Sequence, residues 1–123
     1  MAMTTVWEST ITSIGEDAPE MFNAGVYILF GTPVPDALAS IAIVHPGPRE
    51  AFAPVAVGDR FFIGDDVIEI TAVGDLANTN FDQLGHICVY VNKSVNLLPG
   101  AIHGTSTATL APSPGQRLAF ERA

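Results

Sequence analysis

The sequence predicts an all-β fold, mainly antiparallel: a small closed or nearly closed β-barrel with short helical segments. Three observations predict it. Seven or more short β-type segments recur at regular spacing, with turn signals between them. Eleven glycines and nine prolines punctuate a chain of only 123 residues. No stretch sustains a helical period long enough to organise a domain. The same strand count also suits a sandwich.

Taken in order, Thr5–Ile14 is rich in Thr, Ile, Val and Trp with loose alternation, and reads as the first strand. Glu16–Asn23 carries one or two helical turns, interrupted early by Pro19. Val26–Phe30 is a fully apolar strand closed by Gly31 and Pro33. Pro35–Ser40 is a short helix candidate, because proline is tolerated in the first turn. Ile41–His45 alternates, with Ile41, Ile43 and His45 on one face and Ala42 and Val44 on the other. Arg60–Ile63, Gly64-Asp65-Asp66 and Val67–Val73 form a hairpin pattern, with Ile68, Ile70 and Ala72 sharing a face. Asn78–Leu84 is the third short helix. His86–Val91 places Ile87, Val89 and Val91 together. Shorter candidates follow at Ala101–His103, Thr107–Leu110 and Arg117–Phe120. Neither a repeat nor a linker divides residues 1–123, so a single domain is expected.

Composition narrows the function classes. Five Lys+Arg stand against 13 Asp+Glu, a formal net charge of −8. No basic residue precedes Arg49, and the five never cluster, so no nucleic-acid partner is expected. An anionic membrane surface would repel such a chain. Met1–Thr10 has neither a basic stretch nor an apolar core like those of a secretory signal. The longest apolar runs fall far short of the ~20 residues that span a bilayer. One cysteine, Cys88, excludes an internal disulfide and a multi-cysteine zinc site. The expected location is the cytoplasm, without direct membrane insertion. A net negative charge suits a partner with a basic face, although in many proteins it serves solubility alone.

Three histidines supply the only side chains with an ordinary pKa near neutrality. His45 ends a strand and enters His45-Pro46-Gly47-Pro48-Arg49. The prolines and glycine stop the strand at once, which predicts a histidine at a rim with an accessible ring. One nitrogen held and the other open would suit chemistry on the ring; a polar rim residue is the bland alternative. His86 follows Leu84-Gly85 and shares a face with Cys88 and Tyr90, and His103 follows Pro99-Gly100-Ala101-Ile102. Both read equally as structural histidines. Cys88 lies mid-strand without a neighbouring cation, as an inert small hydrophobe would. Asp65-Asp66 fits turn chemistry better than a metal site. Phosphate-loop, dinucleotide-glycine and nucleophile-elbow motifs are missing.

An ordered set of segments points further. Thr10-Ile11-Thr12-Ser13-Ile14-Gly15, Thr71-Ala72-Val73-Gly74, Asn80-Phe81-Asp82-Gln83-Leu84-Gly85-His86, Pro99-Gly100-Ala101-Ile102-His103 and Gly115-Gln116-Arg117-Leu118-Ala119-Phe120-Glu121 occur in that sequence. With them the chain resembles the glucitol/sorbitol-specific enzyme IIA component of the bacterial phosphoenolpyruvate-dependent sugar phosphotransferase system, from about residue 4 to 121. The family's phosphorylated histidine lies in an apolar-apolar-His motif that Ile43-Val44-His45 matches. Pro46 departs from the small or polar residue expected next, and the proline-rich loop Gly47 to Ala56 matches poorly.

The resemblance implies a β-barrel phosphocarrier. His45 would accept a phosphoryl group from phospho-HPr and pass it to a cysteine of a IIB component, while a IIC membrane component moves glucitol. It suggests Nε2 as the phosphorylated atom, with Nδ1–H oriented by a carbonyl or carboxylate. The scheme requires no metal or organic cofactor. His86, His103 and Arg49 are candidates to stabilise the phosphoryl group. A different class of function also fits the residues: a non-catalytic β-barrel interaction or regulatory module that has kept the fold.

Overall fold

The computed structural model describes residues 3–47, 51 and 53–123. Arg49 lies outside the described residues. Strands dominate: β1 (Thr4–Thr10), β2 (Ser13–Ile14), β3 (Val26–Gly31), β4 (Ile43–His45), β5 (Arg60–Ile63), β6 (Asp66–Val73), β7 (Ile87–Val91), β8 (Ala101–Thr105) and β9 (Arg117–Arg122). Three short helices interrupt them: α1 (Ala18–Asn23), α2 (Asp36–Ala39) and α3 (Ala77–Leu84).

All nine strands belong to one mixed sheet in the order β1-β9-β5-β6-β8-β7-β3-β4-β2. Only β3–β4 and β7–β8 pair in parallel. The sheet curls into a half-barrel, and a single segment joins its two edges. Thr10 pairs with Arg117 of β9, and three residues later Ser13 pairs with Val44 of β4. Ile11 N–H donates to the Gln116 carbonyl at 2.9 Å, and Thr12 N–H to the Val44 carbonyl at 2.7 Å. What the sequence offers as one strand, Thr5–Ile14, is therefore divided between two neighbours. The division lets one segment cover the outer edges of both β9 and β4.

The period-two patterns decide what each strand buries. Phe61 and Ile63, Ile68 and Ile70, Ile87 and Val89, and Leu118 and Phe120 are all fully or almost fully buried. They fill the inside of the curl together with Trp7, Leu29 and Ile43. Trp7, Phe61, Phe81 and Phe120 form its aromatic centre, with ring centroids 4.6 Å apart for Trp7–Phe81 and for Phe61–Phe120. A second, smaller apolar cluster covers the outer face: Ile28, Phe30, Ala42 and Val44, packed by Met21, Leu38 and Cys88. Alternation along β4 thus sends Ile43 inward and Val44 outward, as its sequence requires.

Several boundaries move for local reasons. Pro19 sits in the first turn of α1 and begins the helix instead of breaking it. Ile41 belongs to the turn before β4, because its N–H donates to the Leu38 carbonyl at 3.2 Å. Thr107–Leu110 is not a strand. There Ser106 takes over the ladder's role, donating from Oγ to the Val67 carbonyl at 2.7 Å and exchanging bonds with the Asn92 side chain. The hairpin turn is Gly64-Asp65, with Asp66 already paired to Ile63.

An ion pair between a buried carboxylate and a half-exposed arginine fastens the last strand. Asp59 is 1% exposed and receives two bonds from Arg122, at 2.7 and 2.8 Å. The Ala56 N–H also donates to this carboxylate at 2.9 Å, so the pair locks the segment before β5 against β9. The carboxylate holds the Arg122 guanidinium above its ordinary pKa. Arg117 is held up in the same way by Glu121 and Glu8.

Candidate functional site

Helix α3 shapes the site. It lies across the inner aromatic cluster through Phe81, which touches Trp7 and Phe120. Its last residue, Leu84, is followed by Gly85 at φ 64° and ψ 22°, a left-handed cap that glycine adopts without steric cost. The Gly85 N–H closes the helix on the Phe81 carbonyl at 2.8 Å. That cap turns the Gly85 carbonyl toward β4, where it meets His45 Nε2 at 2.8 Å. A Cβ at Gly85 would stand 2.7 Å from His45 Cε1 and 2.9 Å from the Gly31 backbone. Gly31 pairs with His45 across β3 and β4. A Cβ there would fall 2.9 Å from Gly47 and 3.0 Å from the Leu84 carbonyl. Two glycines thus let three backbones and one imidazole meet.

His45 follows Ile43 onto the inner face, as the alternation predicts. Its ring meets Trp7 edge-on, with centroids 5.2 Å apart and planes 82° apart. The expectation of an accessible rim histidine is wrong: His45 is 0% exposed. Pro46 and Gly47 do end the strand, but they do not open space. The His45 carbonyl still accepts from Thr32 N–H at 2.9 Å, and Gly47 N–H donates to Thr32 Oγ1 at 3.0 Å. The departing chain therefore stays tied alongside the end of β3. Nδ1 lies 3.2 Å from the Pro46 carbonyl, a longer and only partly buried contact. The shorter bond belongs to Nε2, whereas the resemblance assigned the orienting contact to Nδ1.

The other two histidines lie on the opposite face. Ile87, Val89 and Ile102 point inward, so their neighbours His86 and His103 point outward. His86 lies against Phe30 of the outer cluster, centroids 4.7 Å apart, and meets the Leu29 carbonyl through Nδ1 at 3.2 Å. His103 stacks on Tyr90 at 5.5 Å with planes 8° apart. Its Nε2 is buried and has no hydrogen-bond partner among the described residues. The structure does not bring either ring onto the Trp7 side of the sheet where His45 sits. Cys88 shares their outer face, and burial pushes its thiol pKa up, away from nucleophilic reactivity. Among the described residues, no group of three or more His, Cys, Asp or Glu side chains could hold a metal ion. No described helix is long and apolar enough to cross a membrane.

Trp7, Gly31, Thr32 and Gly85 are the parts of the site that sequence reasoning missed. One signal existed for Gly85, a glycine directly after a helix candidate and therefore suited to a left-handed cap. Nothing local marked Trp7 as the wall behind a histidine 38 positions later.

Comparison with known proteins agrees with this architecture. The family model described as the PTS system glucitol/sorbitol-specific IIA component matches residues 6–119. Two relatives named as PTS system glucitol/sorbitol-specific EIIA component, from Escherichia coli (strain K12) and Shigella flexneri, are each 28% identical over 120 residues. In both cases 97% of either chain is covered. The crystal structure of a PTS system IIA component from Enterococcus faecalis V583 superposes with a TM-score of 0.75 at 25% identity, covering 91% of this chain and 97% of that one. A non-catalytic module is not favoured by these matches. With 114 consecutive positions under one family model, the chain belongs to the glucitol/sorbitol-specific IIA components of the phosphotransferase system.

Proposed function

We propose that the chain is the phosphocarrier of a glucitol/sorbitol phosphotransferase system and that His45 carries the phosphoryl group. The observation that carries the reading is the family match across nearly the whole chain, with a histidine in the family's apolar-apolar-His motif at Ile43-Val44-His45. The geometry supports that residue over the other two. His45 alone sits at the meeting of Gly31, Gly47 and the α3 cap, fixed by a backbone carbonyl and an indole edge. A ring held in one orientation loses little freedom on reaching an in-line transition state, and phosphoryl transfer is mostly positioning.

The donor is phospho-HPr and the acceptor a IIB cysteine, with the IIC component moving the polyol. The whole of residues 1–123 acts as one cytoplasmic domain. The net charge of −8 suits a donor with a basic face. His86 and His103, on the outer face, are not required for acceptance of the group. No metal or organic cofactor takes part in this scheme.

The test is mass spectrometry at neutral or alkaline pH after incubation with phosphoenolpyruvate, enzyme I and HPr. The unmutated protein, His86→Ala and His103→Ala gain one phosphoryl group; His45→Gln gains none. A phosphorylated His45→Gln protein, or an unmutated protein that never accepts the group, overturns the reading.

A further inference from the structure

We propose that the Ser9 hydroxyl donates a hydrogen bond to the phosphoryl group that His45 carries. The inference deepens the carrier reading and rests on it.

Ser9 is 3% exposed, and its Oγ is buried without a hydrogen-bond partner among the described residues. Its direction follows from the ladder. Trp7, Glu8, Ser9 and Thr10 pair in unbroken register with Phe120, Ala119, Leu118 and Arg117, so Ser9 shares the inner face with Trp7. Its partner Leu118 is 0% exposed and belongs to the inner core. The same stretch of chain runs beside the end of β4. Two residues before Ser9, the Trp7 ring packs against the His45 ring with centroids 5.2 Å apart. Three residues after it, Thr12 N–H donates to the carbonyl of Val44, the residue before His45, at 2.7 Å. The hydroxyl is thus bracketed by two contacts to the strand end that bears the histidine.

An unpartnered buried hydroxyl calls for a reason, because burial strips it of water and returns nothing. A phosphoryl group supplies one. The ring that carries it is 0% exposed, so part of the charge is set among protein atoms, where an anion needs donors. Gly85 and Pro46 present carbonyls to the ring, which can only accept. The N–H groups of Thr12, Thr32 and Gly47 are already engaged. Ser9 offers an uncommitted O–H on the inner face. In the transfer, a ring nitrogen of His45 forms the new N–P bond while the N–P bond of the donor's phosphohistidine breaks, and that electron pair returns to the donor nitrogen. Ser9 keeps its proton on Oγ and points it at a phosphoryl oxygen. A hydrogen bond to a charged acceptor is stronger than one between neutral groups.

The experiment compares Ser9→Ala with the unmutated full chain in two measurements. One is the rate of phosphoryl acceptance from phosphoenolpyruvate, enzyme I and HPr, followed by mass spectrometry at alkaline pH. The other is the urea midpoint, read from Trp7 fluorescence. Acceptance slows roughly 10- to 100-fold. The midpoint stays unchanged or rises, because alanine removes a hydroxyl that the unloaded protein leaves unpaired. A structural role for Ser9 moves the midpoint down instead. With Ser9 only 3% exposed, the surface that a donor meets is the same in both proteins, so a slower rate reports on the phosphoryl group and not on docking. Acceptance at the unmutated rate overturns the proposal and leaves the carrier reading standing. A variant that does not fold, or that has a lowered midpoint, overturns it too, since the hydroxyl then serves the unloaded fold. An unmutated protein that takes no phosphoryl group on His45 overturns both.

Discussion

Replacing His45 by alanine tests its burial as well as its chemistry. The ring is 0% exposed, bonds to Gly85 and packs edge-on against Trp7. Its removal leaves the Gly85 carbonyl buried without that donor, at a cost of about 1–3 kcal/mol. It also forfeits an aromatic pair worth ~0.5–1.5 kcal/mol. Together the loss is about 2–4 kcal/mol, against a total stability of roughly 5–15 kcal/mol for a domain. The variant therefore still folds, but with a lowered urea midpoint. With an m-value of about 1.5 kcal/mol per molar, the shift is roughly 1–3 M. Trp7 is the sole tryptophan and lies against the missing ring, so its fluorescence reports the transition directly. His45→Gln can offer an amide N–H near the position of Nε2 and loses about 1 kcal/mol less. A midpoint unchanged within 0.2 M (about 0.3 kcal/mol) for His45→Ala would refute the buried, carbonyl-held ring and restore the accessible rim histidine.

Three further outcomes follow from other parts of the molecule. Arg122→Ala strands the Asp59 carboxylate, whose side chain is 2% exposed. Because the arginine itself is 38% exposed and solvent screens the pair, the cost is about 1–3 kcal/mol in urea unfolding, and Arg122→Lys restores only part of it. Burial raises the Cys88 thiol pKa above its ordinary 9.0, so at pH 8 alkylation is many times slower in the folded protein than in urea. The sign for stability follows: the contribution is fully present below the unfolded value of 9.0 and is lost as pH rises through the folded one, so Cys88→Ala flattens the alkaline loss of stability. Lastly, the excess of eight negative charges steers a basic donor, and the phosphotransfer rate from phospho-HPr falls between low and high salt; a flat profile removes steering from the account.

The strands were legible because burial writes itself into a sequence with period two. Arg60–Ile63 stands at the bounds its residues predict, and Val26–Gly31, Asp66–Val73 and Ile87–Val91 fall within one residue of prediction. His45 was placed on the correct face by the same pattern, beside Ile43. Where that strand would lead was not legible. Accessibility depends on what closes over a residue, and here the closing pieces are Gly85, 40 positions later, and Thr32, 13 positions earlier. The same holds for Thr5–Ile14. Its residues favour an extended chain throughout, but only the completed sheet decides that one half pairs with β9 and the other with β4. The outward placement of His86 and His103 follows from alternation with Ile87 and Ile102, so it could have been read from the sequence; their separation from His45 could not, since it needs the relative order of β4, β7 and β8. Composition, strand pattern and family membership are carried by residues taken singly or in short runs. The surroundings of the histidine ring are set by distant backbone atoms, the Gly85 carbonyl among them, and only the folded chain fixes which of them arrive.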